Sequence, residues 1–197
     1  FSAMRRLLIV DLEATCWNRA EHVAERMETI EIGALDLDPA EPTRVREFQA
    51  FIRPVRFPML SAFCTELTSI TQADVDSAES FAPVFARFVE WIGDPALVRL
   101  CSWGDYDRRQ LIRDCADHGV RYPLAADHLN LKHLCSTALG VRPFGLQRAL
   151  DVAGLGFVGI HHRGLDDARN ITRLLMYTHG SCLTDLAPDA PTTTAGI

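Results

Sequence analysis

The sequence predicts a mixed α/β fold: one five-stranded sheet with helices on its faces. Three observations lead there. The run Leu7-Leu8-Ile9-Val10 is continuously apolar and reads as a strand buried on both faces. Two more strand-like runs follow at short spacing, which favours an antiparallel meander. After them, strand and helix patterns alternate.

The first strand is expected over residues 7–15 and ends in two acids, Asp11 and Glu13. Side chains alternate along a strand, so both carboxylates point to one side and Leu12 to the other. Residues 18–26 are polar and read as a loop. Residues 29–37 form the second strand, closed by Asp38-Pro39 and Glu41-Pro42. Residues 47–52 form the third, stopped before Pro54. Residues 54–76 read as irregular, anchored by Leu67, Ile70 and Val75. Ser80 is the expected cap of a helix with Pro83 in its first turn and a core stripe of Phe81, Phe85, Phe88 and Trp91. The fourth strand spans 97–101. Asp105 is expected to cap the next helix, with Leu111, Ile112 and Cys115 inward and Gly119 as its stop. A short fifth strand holds Leu129. Asn130 caps a helix with Leu131, Leu134, Cys135 and Ala138 inward. Another helix covers 145–153 up to Gly154. The last starts near Leu165, buries Ala168, Ile171, Leu174 and Leu175, and stops at Gly180.

The length of 197 residues suits one domain, placed at 4–185. Phe1-Ser2-Ala3 before Met4 looks like an expression-vector remnant. Residues 186–197, rich in Pro, Thr, Ala and Asp, read as a disordered tail. With 48% apolar and 23% charged residues, the composition is that of an ordinary globular protein. No apolar run is long enough for a membrane span and no signal-peptide pattern is visible, so a cytoplasmic location is expected. Six scattered cysteines without a CxxC pair read as free thiols. A net charge of −6 argues against simple electrostatic capture of nucleic acid, although two bound divalent cations would offset most of it.

Two later clusters echo the opening acids: Ser102-Trp103-Gly104-Asp105-Tyr106-Asp107 and His161-His162-Arg163-Gly164-Leu165-Asp166-Asp167. Both lie at element ends, where scaffolds position functional groups. Asp105 and Asp166 are assigned the capping role, which leaves Asp107 and Asp167 free to enter a site. Four converging acids would repel one another and raise their pKa values. Two hard divalent cations would reverse that, stabilise both oxygens of a phosphoryl transfer and acidify a water. His162 is then placed to take its proton.

These residues carry a resemblance. Asp-Leu-Glu-Ala-Thr at 11–15, Trp-Gly-Asp-Tyr-Asp at 103–107 and His-His-Arg-Gly-Leu-Asp-Asp-Ala at 161–168 resemble the three motifs of the DEDDh 3′→5′ exonucleases. Within them the chain is most similar to the ERI-1/3′hExo-like group and bacterial KapD-like exonucleases. Glu31-Ile32-Gly33-Ala34, Leu67-Thr68-Ser69-Ile70-Thr71-Gln72 and Gly145-Leu146-Gln147-Arg148-Ala149-Leu150 support it, and the similarity runs over about 6–179. Where the family often has Gly, this chain has Ser69, and Gly159-Ile160 departs from the usual residue before the histidines.

The resemblance implies an RNase H-like sheet, a three-strand antiparallel meander plus two parallel strands flanked by helices. It implies two Mg²⁺, with Mn²⁺ as a substitute, held by Asp11, Glu13, Asp107 and Asp167. His162 is the implied general base and Glu13 a second catalytic group; His161 is one residue out of register. The implied reaction releases nucleoside 5′-monophosphates from nucleic acid 3′ ends, with single-stranded RNA favoured and DNA kept open. Ala14 and Thr15 would lie near the terminal sugar. Read from their positions alone, Arg108, Arg109 and Arg163 flank the expected metal ligands and either hold phosphates or are solvated surface residues, and Trp17, Phe63 and Phe144 are core or loop anchors or else stack on a base. Two alternatives are an exonuclease fold kept as a nucleic-acid-binding module and a haloacid dehalogenase-like phosphatase. The latter matches Asp11 to Thr15, Lys132 and Asp166-Asp167 in order but wants Asp at position 13.

Overall fold

The computed structural model describes residues 4–19 and 23–188. Five strands, β1 (Arg6–Ala14), β2 (Thr29–Leu37), β3 (Val45–Phe51), β4 (Val98–Ser102) and β5 (Leu129–Asn130), form one sheet in the order β3-β2-β1-β4-β5. β1, β2 and β3 pair antiparallel, whereas β4 runs parallel to β1 and β5 parallel to β4. The expected topology is present, with β1 at the centre.

The alternation of β1 decides what lies on each face. Leu8, Val10 and Leu12 pack with the Phe81, Phe85 and Phe88 stripe of α3 (Phe81–Ile92) and with Leu111 and Cys115 of α4 (Tyr106–Asp117). Leu7 and Ile9 pack with Ala168, Ile171, Leu174 and Leu175 of α7 (Gly164–His179), together with α5 (Leu131–Ala138) and α6 (Leu146–Ala153). Each fully buried aromatic or aliphatic side chain contributes roughly 1.5–3 kcal/mol. The same period carries Asp11 and Glu13 to the α7 face, beyond the end of that apolar layer.

Two glycines let α7 close onto the sheet at this point. A Cβ on Gly33 of β2 would stand 2.0 Å from the Gly164 carbonyl carbon. A Cβ on Gly164 would stand 2.9 Å from the Asp11 carbonyl oxygen. No other residue type permits that backbone-to-backbone approach.

Several expectations need correction. Residues 54–76 are not irregular: they contain α1 (Ala62–Thr68) and α2 (Gln72–Asp76). Local caps hold both: Ser61 Oγ accepts the Cys64 N–H, and Thr71 and Asp74 form a capping box. Ser69 ends α1 with φ +60°, the left-handed conformation glycine adopts readily, and its N–H donates to Thr65 O. Ile70 and Val75 are buried anchors, but Leu67 is 38% exposed and faces a cavity described below. Ile112 and Ala138 face outward on their helices.

Neither expected acid cap forms. Asp105 precedes α4 without a side-chain cap bond, and its carboxylate lies 3.4 Å from His128 Nδ1. Arg163 is the residue preceding α7; Asp166 instead accepts the Ile160 N–H at 2.9 Å and pairs with Arg169. Packed structure also continues past 185. Ala187 is buried, Arg99 donates to Leu186 O and the buried Arg5 donates to Pro188 O, each at 2.7 Å. Those guanidinium bonds hold a segment whose composition alone reads as loose. Residues 1–3 and 189–197 lie outside the described residues. All six cysteines are free, as expected.

Candidate active site

Asp11 and Glu13 arrive on β1, Asp107 in the first turn of α4, and Asp167 in the first turn of α7. Together with His161 and His162 they line one cleft of about 380 Å³. Carboxylate oxygens of Asp11, Glu13 and Asp167 all lie within 4.8 Å of one another. Asp167 also belongs to a second such group with His161 and His162. Asp107 is tied to the same strand: its Oδ1 accepts the Leu12 N–H at 2.9 Å.

The helix end that brings Asp167 is clamped by Glu31 of β2. Glu31 is 1% exposed; its Oε2 accepts the Gly164 N–H at 3.0 Å and the Arg163 Nε–H at 3.2 Å. Charge-assisted bonds of this kind are roughly twice as strong as neutral ones.

The electrostatics are those of buried carboxyl groups gathered close together. Burial pushes the Glu13 carboxyl up to about 9, reinforced by the charges of Asp167, Glu31 and Asp107. Burial, then Asp107 and Glu13, raise Asp11 well above the usual carboxylate range. Asp107 and Asp167 are pushed up to about 7, again by burial, although the N–H groups of Leu12 and His162 hold each of them down. Asp167 Oδ1 is buried without a hydrogen-bond partner among the described residues. An orphaned buried carboxylate oxygen beside two more carboxylates is the donor set a hard divalent cation takes. The residues present therefore fit such an ion.

The histidines sit where the chain turns into α7. His162 has φ +63°, a conformation uncommon for a residue with a Cβ. The rings stack, with centroids 3.9 Å apart, and Phe157 packs on His161 at 5.1 Å. Burial lowers the pKa of both, and for His162 the neighbouring His161 lowers it further. A neutral imidazole is the form that accepts a proton.

The remaining candidates fall in different places. Ala14 lines the cleft, whereas Thr15 is buried and its Oγ1 accepts the Glu28 N–H. Arg163 is committed to Glu31 and lies 5.1 Å above the Phe51 ring. Arg108, Arg163, Phe144, Lys132 and Asp166 are not among the lining residues of the cleft. Arg109 lines a separate depression with Arg113. Trp103, Tyr106, Met27 and Gln147 line the acid cleft, and the sequence assigned none of them a role there. Trp103, Tyr106 and Gln147 lie in stretches quoted above, so their signal was local; Met27 had none.

Comparison with known proteins places the chain in a family. A family model described as Exonuclease (RNase_T) matches residues 8–175. ERI1 exoribonuclease 2 of Danio rerio is 34% identical over 206 residues, covering 93% of this chain and 37% of that protein. The 3′-5′ exonuclease Snipper of Drosophila melanogaster is 30% identical over 189 residues, covering 86% of this chain and 67% of its own length. This chain thus spans only about a third of the fish relative. Among solved structures, the nuclease domain of 3′hExo, a DEDDh family member bound to rAMP, superposes with a TM-score of 0.83 at 27% identity. It covers 92% of this chain and 94% of that one. A 3′-exonuclease solved in 3′-end-specific recognition of the histone mRNA stem-loop gives 0.83 at 26% identity, over 93% and 85%.

Proposed function

The chain belongs to the exonuclease family, in its DEDDh 3′→5′ class and ERI1/3′hExo-like group, and we propose that it hydrolyses the last phosphodiester of an RNA 3′ end. The observation that carries this reading is the meeting of Asp11, Glu13 and Asp167 oxygens within 4.8 Å, beside two imidazoles, in an open cleft.

Asp11, Glu13, Asp107 and Asp167 would hold two divalent cations, Mg²⁺ or Mn²⁺. When bound, these supply the positive charge that acidifies water and stabilises the phosphoryl oxygens. The protein's own groups do the rest. His162, whose pKa is lowered by burial and by the neighbouring His161, accepts the proton of the attacking water. The hydrogen bond from its backbone N–H to Asp167 fixes its distance from the acid cluster. Glu31 and the Gly33–Gly164 contact hold α7, and with it Asp167, in register with β1. Ala14 borders the space for the terminal sugar. The product is a nucleoside 5′-monophosphate. Single strands are preferred, because a paired terminus must first be opened. A single nuclease domain is the reading that the one sheet of the described residues supports. Among the described residues no helix is long and apolar enough to cross a membrane.

The test is a degradation assay with 3′-labelled RNA and DNA, single- and double-stranded, in Mg²⁺, Mn²⁺ or EDTA. Stepwise release of 5′-monophosphates from single-stranded RNA, abolished by EDTA, is expected. Tight binding without any release in either metal would instead establish a binding module.

A further inference from the structure

The chain that leads into the two histidines buries little apolar surface of its own. Phe157 packs against the core, but Val158 is 61% exposed and Ile160 51%. Among the described residues no hydrogen bond holds either imidazole ring. The rings therefore stand where the backbone and their stacking put them. That backbone is laced to one face of α7. The N–H groups of Val158, Ile160 and His162, every second residue, donate in turn to Asn170 Oδ1 at 3.1 Å, Asp166 Oδ2 at 2.9 Å and Asp167 Oδ2 at 3.1 Å. Only the last of these acceptors belongs to the acid cluster.

Asn170 is fully buried and uses its whole amide. Nδ2 donates to Val158 O at 2.7 Å and to Asp166 O at 2.8 Å. Oδ1 accepts from the Val158 N–H and from Arg173 Nη1, the latter at 2.7 Å. Both partners of the oxygen are donors and both partners of the nitrogen are acceptors, so one orientation of the amide fits. Arg173 also donates to Gly156 O at 3.0 Å. Gly159 lets the loop lie this close to the helix: a Cβ there would stand 2.5 Å from Asp166 Cγ, and its φ is +93°. The bonds reach the imidazoles by two routes. Fixing Val158 fixes the adjoining Phe157, whose ring packs on His161, and His161 stacks on His162. Fixing Ile160 sets the entry to the turn in which His162 takes its positive φ.

We infer that Asn170, together with Asp166, is a positioning residue for the hydrolysis: it holds residues 156–162 so that the His162 imidazole stands over the acid cleft. The inference rests on the reading of that cleft as hydrolytic with His162 as its base. Asn170 is not among the lining residues of the cleft, so it acts through the histidine and not on the substrate. A reacting group keeps its geometry only when hydrogen bonds behind it lock the backbone that carries it. An asparagine that served stability alone would lower the folded fraction and leave turnover per folded molecule intact.

The test is a double-mutant cycle on kcat, expressed per folded molecule, with 3′-labelled single-stranded RNA in Mn²⁺. Its four proteins are the wild type, Asn170→Ala, His162→Ala and the double variant. Asn170→Ala should lower kcat about 10- to 100-fold, the cost of displacing a reacting group by about 1 Å, and change KM less than about threefold. In the His162→Ala background the same substitution should cost less than about threefold, because the group it positions is gone. Should Asn170→Ala fail to fold, Asp166→Ala takes its place in the cycle. Asp166→Asn, which keeps an acceptor for the Ile160 N–H, should recover most of the Asp166→Ala loss. An equal loss in both backgrounds, or an Asn170→Ala kcat within about twofold of the wild type, would overturn the inference. Should the wild type release nothing from RNA in Mg²⁺ or Mn²⁺, the hydrolytic reading fails, and amide hydrogen exchange decides the positioning alone. Faster exchange at His162 in Asn170→Ala, with the β1 amides unchanged, supports it, because Asn170 makes no bond to that N–H. Unchanged exchange at His162 refutes it.

Discussion

The backbone N–H of His162 donates to Asp167 Oδ2 at 3.1 Å, while Asp167 Oδ1 is buried without a partner among the described residues. One carboxylate thus fixes the imidazole-bearing turn and leaves its second oxygen for an ion.

Asp167→Asn keeps an oxygen for the His162 N–H but removes the charge. Exonuclease activity is expected to fall about 100-fold or more, the size of effect seen when a preorganised charge-stabilising group is lost. The rise in melting temperature on adding Mn²⁺ should shrink in parallel. Calorimetric unfolding with and without Mn²⁺ measures the second effect independently of turnover.

His162→Ala should lower kcat by roughly 10²–10⁴-fold, the usual contribution of a positioned base, and leave Mn²⁺-induced stabilisation largely intact. His161→Ala should cost less, although both rings approach Asp167. Initial rates at saturating substrate compare the two. A larger loss in His161→Ala would transfer the base role to that residue.

Stability of the metal-free protein should decline as pH rises. The folded state raises Asp107 and Asp167 to about 7 and Glu13 to about 9, above unfolded values near 4. A group raised on folding stabilises fully below its unfolded pKa, and that stability is lost as pH climbs through the folded pKa. The decline should therefore span about pH 4 to 9 in EDTA. Mn²⁺ should oppose it, stabilising more strongly at pH 8 than at pH 5.5. Urea midpoints across that range, with Glu13→Gln as a comparison, give the slopes.

Gly33→Ala places a methyl group 2.0 Å from the Gly164 backbone. Backbone must move, so a loss of about 1–3 kcal/mol is expected, with α7 and Asp167 displaced from β1. Activity should fall further than the folded fraction does. Urea unfolding together with rates per folded molecule separates the two effects.

Much of this was legible in the sequence because it is local. The run Leu7-Leu8-Ile9-Val10 ending in Asp11 and Glu13 states both a buried strand and an unpaired charge, and β2 was bounded correctly by its prolines. The two short helices α1 and α2 were not, since each is held by caps rather than by an apolar stripe. The roles of Glu31, Gly33 and Gly164 depend on strand register and on contact between residues more than 130 apart in sequence, which no local pattern encodes. Arg163 reads as a phosphate ligand beside the acids; only the fold shows its guanidinium on Glu31.

Diffraction from a crystal soaked in Mn²⁺, recorded for its anomalous signal, tests the acid cleft most directly. Peaks among the carboxylates of Asp11, Glu13, Asp107 and Asp167, lost in Asp167→Asn, are the expected result. A fully soaked crystal with no manganese among those oxygens would contradict it.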